Sequence, residues 1–239
     1  MRVLAFDTAT PATVAALAEV AGSDAPTLRI ELRDDPEPGA RPGHARRLLL
    51  MIGELLAAGG GWESVDRLAV GVGPGTFTGL RIGIATAHAL ASARGIPLVG
   101  VSTLRSVALA ASTPAGGAGV LGLLDARRGQ LFAAGWDPGS DPRCNPPSLE
   151  PSVLDPEALA GAVSALGRSP LAVGDGAVRF RAMLERAGAV VPPDGSALHR
   201  VSAVEHCALA ADAQPGEPEA VRPAYLRLPD AELSRRQRP

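Results

Sequence analysis

Two short stretches of this chain hold residue types that could handle a phosphate. The first is Asp7-Thr8-Ala9-Thr10, directly after an apolar run that reads as a strand over 2–6. A carboxylate at the end of a strand can hold a metal–phosphate group, and the hydroxyls of Thr8 and Thr10 can contact phosphate oxygens. The same four residues are equally the composition of a turn that satisfies its own backbone groups. The second stretch is Gly73-Pro74-Gly75-Thr76, between a strand over 68–72 and a helix over 76–94 that Thr76 or Thr78 is placed to cap. Backbone N–H groups at a helix start attract anions, and glycine lets a ligand come close. The spacing is not that of a dinucleotide fingerprint, which has glycine where this chain has Thr76. It is not a Walker loop either, because the chain has no lysine: all 23 basic residues are arginine. The same absence excludes Schiff-base chemistry.

Other reactive groups are scattered. His44, His88, His199 and His206 include no pair at HxxxH or HExxH spacing, so they read as packing or surface residues. No Ser–His–Asp order suggests a nucleophile. Cys144 and Cys207 lack CxxC spacing, which argues against a disulfide framework or thiolate zinc and fits a reduced, cytoplasmic compartment. A net charge of -2 gives no basic footprint for direct contact with nucleic acid or a membrane. The N-terminal apolar run is broken by Asp7 and is no signal peptide, and no stretch is long enough to span a bilayer. The turn Asp125-Ala126-Arg127-Arg128-Gly129 either presents two arginines to an anion or acidic partner, or is an exposed polar turn.

The elements that must position these residues follow from periodicity and punctuation. Strands are expected over 2–6, 13–20, 27–33, 68–72 and 97–101, with Gly22-Ser23-Asp24 as a turn, 34–43 as a loop, and helices over 44–58, 76–94 and 102–111. After a Ser/Thr/Pro/Gly junction at 112–119 the pattern restarts. Hairpin strands lie at 120–124 and 131–136, and a Pro-rich loop at 137–151. A helix is capped by Asp155 with Pro156 first, and a strand covers 171–174. A helix over 177–187, a short strand at 189–191, and a helix to about 213 opened by a Ser202–Glu205 capping box complete the series. The result is two successive mixed α/β units. Residues 1–111 form an N-terminal lobe. Residues 112–229 form a smaller one, whose last helix (202–213) is able to pack on the first, and 230–239 form a frayed tail.

Two helices carry more apolar surface than one face needs. On 44–58, Leu48, Leu49, Leu50, Met51, Ile52, Leu55 and Leu56 cover more than one stripe. On 76–94 a small-residue ridge, Gly79, Gly83, Ala87 and Ala91, runs beside Leu80 and Ile84, and such ridges let helix axes come close. Burial deep inside one domain is the plain reading. A lobe of about a hundred residues has difficulty covering two such helices, which favours a protein partner on their outer faces.

These motifs together are familiar. DTAT after the first strand, GHARRLLLMIGELL, AVGVGPGTFTGLRIGIATAHALA, GIPLVGVSTL, LLDARRGQLF, AVGDGA and PAYLR resemble the TsaB family, in order and across nearly the whole chain. The resemblance implies a two-lobed actin/hexokinase-like (ribonuclease-H-like) fold. It also implies membership of the bacterial machinery that places a threonylcarbamoyl group on the adenosine beside the tRNA anticodon. There TsaD is the transferase, TsaE an ATPase, and TsaB the non-catalytic dimerisation subunit that binds and activates TsaD. The catalytic relative carries an HxxxH metal pair; here His44 is followed by Leu48. By analogy no metal and no cofactor of its own is implied, although a nucleotide at the joint with the partner is left open. The partner, TsaD or a second copy, would meet His44, Arg47, Leu48, Met51, Leu55, Gly79, Leu80, Gly83, Ile84, Ala87 and Ala91. On this placement Gly83→Leu abolishes the heterodimer and leaves the monomer folded. Contact with tRNA would come only through the complex. Asp7, Thr8, Thr10, Gly73, Pro74, Gly75 and Thr76 would be vestigial phosphate-type loops. Two departures bear on charge pairing at that interface: His88 where the family commonly has lysine, and Arg46–Arg47 where an acidic residue is common. The rival reading is an enzyme of the same superfamily, an ATP-dependent transferase or a glycoprotease-type metalloprotease.

Overall fold

The chain opens with three strands, β1 (Arg2–Asp7), β2 (Thr13–Glu19) and β3 (Leu28–Asp34), paired antiparallel in sequence. Helix α1 (His44–Gly59), strand β4 (Arg67–Gly73), helix α2 (Phe77–Arg94), strand β5 (Leu98–Ser102) and helix α3 (Thr103–Ser112) follow. Strands β4 and β5 add parallel to β1, giving a five-stranded sheet of order β3-β2-β1-β4-β5. This is the ribonuclease-H-like arrangement. A computed structural model provides these coordinates and describes residues 1–21, 28–37, 39–167 and 169–227.

Consecutive apolar residues in β1, β2 and β4 demand cover on both faces of the sheet, since side chains alternate along a strand. On one face Leu4, Phe6, Leu17, Leu68 and Val70 pack with Leu48, Met51, Leu55, Leu80 and Ile84 of α1 and α2. On the other, Val3, Ala5, Val14, Ala16 and Ala69 pack with α3 and with residues from the far end of the chain. Both outer helices end on a glycine in the left-handed region, Gly60 (φ 94°) and Gly95 (φ 63°), where a side chain would be strained.

The second unit contains β6 (Val120–Arg127), β7 (Gln130–Trp136), β8 (Leu149–Leu154), α4 (Leu159–Ala165), β9 (Leu171–Val173), α5 (Asp175–Arg179) and α6 (Arg181–Arg186). Its sheet runs β8-β7-β6-β9. The chain then returns to the first sheet as α7 (Ala203–Asp212), which packs on β1, β2 and β4 beside α3. Helices α3 and α7 thus fill the layer between the two sheets.

Several local expectations are corrected. Strand β8 lies partly in the stretch expected as loop; its Pro151 is tolerated because β8 is an edge strand with a register shift opposite Ala133–Gly135. The helix expected over 177–187 breaks at Phe180 into α5 and α6, and the strand at 189–191 is a single bridge from Val190 to Leu171. Neither Thr76 nor Asp155 makes a side-chain cap bond; Asp155 accepts from Gln130 Nε2 (3.0 Å). The Ser202–Glu205 capping box does not form. Glu31 Oε1, on β3, instead accepts from Ala203 N (2.5 Å), Val204 N (3.4 Å) and Ser202 Oγ (3.0 Å). The first N–H groups of α7 need an acceptor, and tertiary packing brings Glu31 to them. The turn at 22–24 and the tail at 230–239 lie outside the described residues.

Candidate functional site

Asp7 ends β1 and is 1% exposed. Its Oδ1 accepts from Ala9 N (2.5 Å), and its Oδ2 accepts from Thr103 Oγ1 (2.7 Å) and His206 Nε2 (2.9 Å). His206, on α7, has no exposed surface, and its Nδ1 lies 2.9 Å from the Ser202 carbonyl oxygen. A carbonyl only accepts, so Nδ1 carries a proton. With Asp7 ionised, the carboxylate oxygen facing Nε2 accepts as well, an arrangement that favours the doubly protonated ring. Burial alone would raise the Asp7 carboxyl, but the His206 bond and charge, with Ala9 N–H and Thr103, hold it below the ordinary carboxylate range. Burial would likewise lower His206, and the Asp7 carboxylate reverses this and raises it. The strand-end carboxylate is therefore engaged within the protein, by a histidine that the sequence marks only as a packing residue.

The two phosphate-type loops pack on each other. Thr8 Oγ1 donates to the Gly79 carbonyl (2.7 Å), and Thr76 N donates to the Ala9 carbonyl (2.8 Å). A Cβ at Gly75 would run into the Ala9 backbone, so the close approach this glycine permits is taken by the chain itself. The peptide bond between Gly73 and Pro74 is cis. Thr10 lies at the junction of the lobes, and the space there bounded by Thr10, Gly75, Thr76, Arg127 and Asp175 is only about 10 Å³, roughly one water molecule. A neighbouring cavity of about 190 Å³ is lined by Thr10, Arg33, Asp35, Asp175, His199 and Arg200. Burial raises the Asp175 carboxyl, and the nearby Asp125 charge adds to this against the backbone bonds from Asp125 and Gly176.

The hairpin turn is tied down at its base. Asp125 N donates to Asp175 Oδ1 (2.9 Å), and Asp125 Oδ2 accepts from Arg179 Nη1 (2.7 Å). Arg127 and Arg128 are exposed at its tip with φ of 64° and 54°.

The structure redraws the helical surface. His44, Leu48, Met51 and Leu55 of α1 and Gly79, Leu80, Gly83, Ile84, Ala87 and Ala91 of α2 are all buried against the chain's own sheet. The ridge glycines admit the loop after β1: a Cβ at Gly79 would strike the Thr8 carbonyl, and one at Gly83 would lie 2.5 Å from Thr8 Oγ1. Of the residues expected to meet a partner, Arg47 alone faces outward, paired with Asp34 (3.2 Å). The apolar and small residues that α1 and α2 show to solvent include Leu49 (58% exposed), Leu50 (57%), Gly53, Ala57, Ala85, Ala89 and Ala93. Periodicity finds both helices and their excess apolar surface, but both faces are apolar, so it does not tell inside from outside.

His44 is 3% exposed; its Nδ1 meets Thr13 Oγ1 at 2.8 Å, and its Nε2 is buried without a partner. Burial lowers its pKa against the pull of Asp7 and Asp34. Leu48, the i+4 position, is in the core, and among the described residues no three His, Cys, Asp or Glu side chains converge. These residues do not fit the HxxxH metal pair of the catalytic relative.

Comparison with known proteins agrees with this architecture. The family model for TsaD, tRNA N6-adenosine threonylcarbamoyltransferase, matches residues 36–137. The Escherichia coli K12 protein named tRNA threonylcarbamoyladenosine biosynthesis protein TsaB is 32% identical over 233 residues, 95% of each chain. Its namesake from Haemophilus influenzae is 39% identical over 94 residues, 39% of this chain and 40% of that one. The solved structure of YeaZ from Pseudomonas aeruginosa superposes with a TM-score of 0.75 at 28% identity, covering 94% of this chain and 99% of that one. With one relative matched at this identity from end to end, and the same fold in a solved structure, the chain belongs to the TsaB family.

Proposed function

We propose that this chain is an accessory, non-catalytic subunit of the cytoplasmic machinery that forms N6-threonylcarbamoyladenosine in tRNA beside the anticodon. In this reading it binds a TsaD-type transferase through the outward faces of α1 and α2, with a TsaE-type ATPase joining the larger complex and tRNA reached only through it. The observation that carries it is the adjacent pair Leu49 and Leu50, each more than half exposed on α1, together with the exposed small residues Gly53 of α1 and Ala85 and Ala89 of α2. Covering exposed leucine side chains removes apolar surface from water, which favours association, and small neighbours let a partner helix lie close. Family membership supports the reading, and so does the internal engagement of Asp7 by His206.

Activation then follows from differential affinity. A surface that binds the competent conformation of the transferase more tightly than its other states shifts the population toward that conformation. No group of this chain needs to touch the reacting atoms. Among the described residues no helix is long and apolar enough to cross a membrane.

The test is the double substitution Leu49→Asp and Leu50→Asp, followed by size exclusion and titration calorimetry with the cognate TsaD. We expect loss of the heterodimer with an unchanged circular dichroism spectrum, because neither side chain is part of the core. Undiminished co-elution would remove the helical face from the interface.

A further inference from the structure

Aromatic side chains are scarce in this chain, with four phenylalanines, two tryptophans and one tyrosine. The single tyrosine, Tyr225, is 41% exposed. Its ring stacks on Phe77, the first residue of α2, at 5.3 Å between centroids and 29° between planes. The Arg81 guanidinium lies 3.9 Å over the same Phe77 ring, and Arg81 Nε donates to the Tyr225 hydroxyl at 3.4 Å. Tyr and Arg are among the types that dominate binding energy at protein interfaces, aromatic residues including Phe are enriched there, and here Tyr225 and Arg81 converge on the half-buried Phe77 at the start of a helix.

The backbone that carries Tyr225 is pinned on three sides. Residues 221–227 cross from the first lobe to the second as a strap. Its Val221 carbonyl lies 2.9 Å from His88 Nε2 on α2, and Ala224 N donates to the Val72 carbonyl of β4 (2.8 Å). Arg227 Nη1 donates to the Ala126 carbonyl of β6 (2.9 Å). Tyr225 is thus held in place before anything binds, which reduces the ordering cost of association. The stack sits one turn from the outward α2 face that continues through Ala85 and Ala89.

Charge indicates the occupant. The exposed charged residues of α1 and α2 are Arg46, Arg47, Arg81 and Arg94 against Glu54 alone, and of these arginines Arg47 is paired with Asp34 of β3. A second copy docking about a twofold axis would bring the same excess of arginine to itself, whereas a partner offering carboxylates would be complementary. Among the described residues Arg81 has no carboxylate partner of its own.

We propose that the Tyr225–Phe77–Arg81 stack is the anchor of the partner surface, and that it receives a carboxylate-bearing segment of the transferase. This rests on the reading that α1 and α2 face that partner, and it adds the C-terminal strap to the interface.

The experiment measures heterodimer affinity by calorimetry for the full chain and three variants: Tyr225→Ala, Arg81→Glu and Tyr225→Phe. The Leu49→Asp/Leu50→Asp protein serves as reference, and urea midpoints serve as a check on folding. We expect Tyr225→Ala to weaken binding at least tenfold and Arg81→Glu to weaken it more, through charge reversal. Tyr225→Phe, which keeps the stack, should stay within about threefold. If Tyr225→Ala and Arg81→Glu bind within twofold of the parent while the leucine variant does not bind, this inference falls and the helical interface stands. Full binding by the leucine variant overturns the helical reading instead. Loss of self-association with an intact heterodimer would make the occupant a second copy and overturn the proposal.

Discussion

Asp7 and His206 are 199 residues apart and form a buried pair at the end of β1. Removing one member of a buried pair leaves the other charge uncompensated and costs about 3–5 kcal/mol. We therefore expect His206→Gln to lower stability by that order at pH 6, measured by urea unfolding. The pH dependence has two limbs. His206 is raised above its ordinary 6.5, so its contribution is complete below that pH and is lost as pH rises through the folded value. Asp7 is lowered below its ordinary 3.8, so its contribution is complete above that pH and is lost as pH falls through the folded value. The pair stabilises the fold between these limits, with Glu31 of β3 adding to the hold on the imidazolium. In His206→Gln the alkaline limb should flatten; an unchanged slope between pH 6.5 and 9 would contradict the imidazolium assignment. The buried Cys207 has its thiol pushed far up by burial and is inert packing.

Helices α1 and α2 each carry a glycine contrast that tests which face is which. Gly83 faces Thr8, so Gly83→Leu forces a side chain into the packed Thr8 and Val70 side chains and costs about 3 kcal/mol. It should yield poorly folded protein, not the folded and partner-deficient monomer that the small-residue ridge alone suggests. Gly53, in the middle of α1, has nothing within 4 Å of where a Cβ would stand. Gly53→Ala should raise stability by about 1 kcal/mol through helix propensity, readable as a higher urea midpoint. The identical chemical feature, a helical glycine, thus has opposite consequences on the two faces. Sequence periodicity places both residues on helices and leaves the sign of the effect open, because the neighbours that set it come from the β1–β2 turn in one case and from solvent in the other.

The two lobes share a core layer between their sheets. A single hydrophobic cluster joins Val3, Ala5 and Val14 of the first sheet with Val120, Leu124, Phe132 and Trp136 of the second, through Leu104 and Val107 of α3 and Ala203, Cys207 and Ala210 of α7. The closing helix is also tied in by polar groups: Arg67 Nη1 donates to the carbonyls of Ala210 and Ala213, and Arg33 Nη1 donates to that of Val201. A fragment ending at residue 111 loses α7 and uncovers one whole face of β1, β2 and β4. We expect such a fragment to lack a cooperative thermal transition, while the full chain unfolds in one step in scanning calorimetry. Two separated transitions in the full chain would contradict the shared core.

The order of strands and helices in the first lobe, the apolar central strands, the excess apolar surface of α1 and α2 and the family resemblance all follow from the residues alone. Each rests on local rules of alternation and helical period, or on motifs contiguous in the chain. What only the tertiary structure decides is pairing at a distance. It sets His206 against Asp7, Glu31 on the first turn of α7, Tyr225 on Phe77, and the ridge glycines inward with Leu49 and Leu50 outward. The reason is physical. A side chain's role depends on what fills the space within a few ångströms of it, and in this fold that space is filled by segments 70 to 200 positions away.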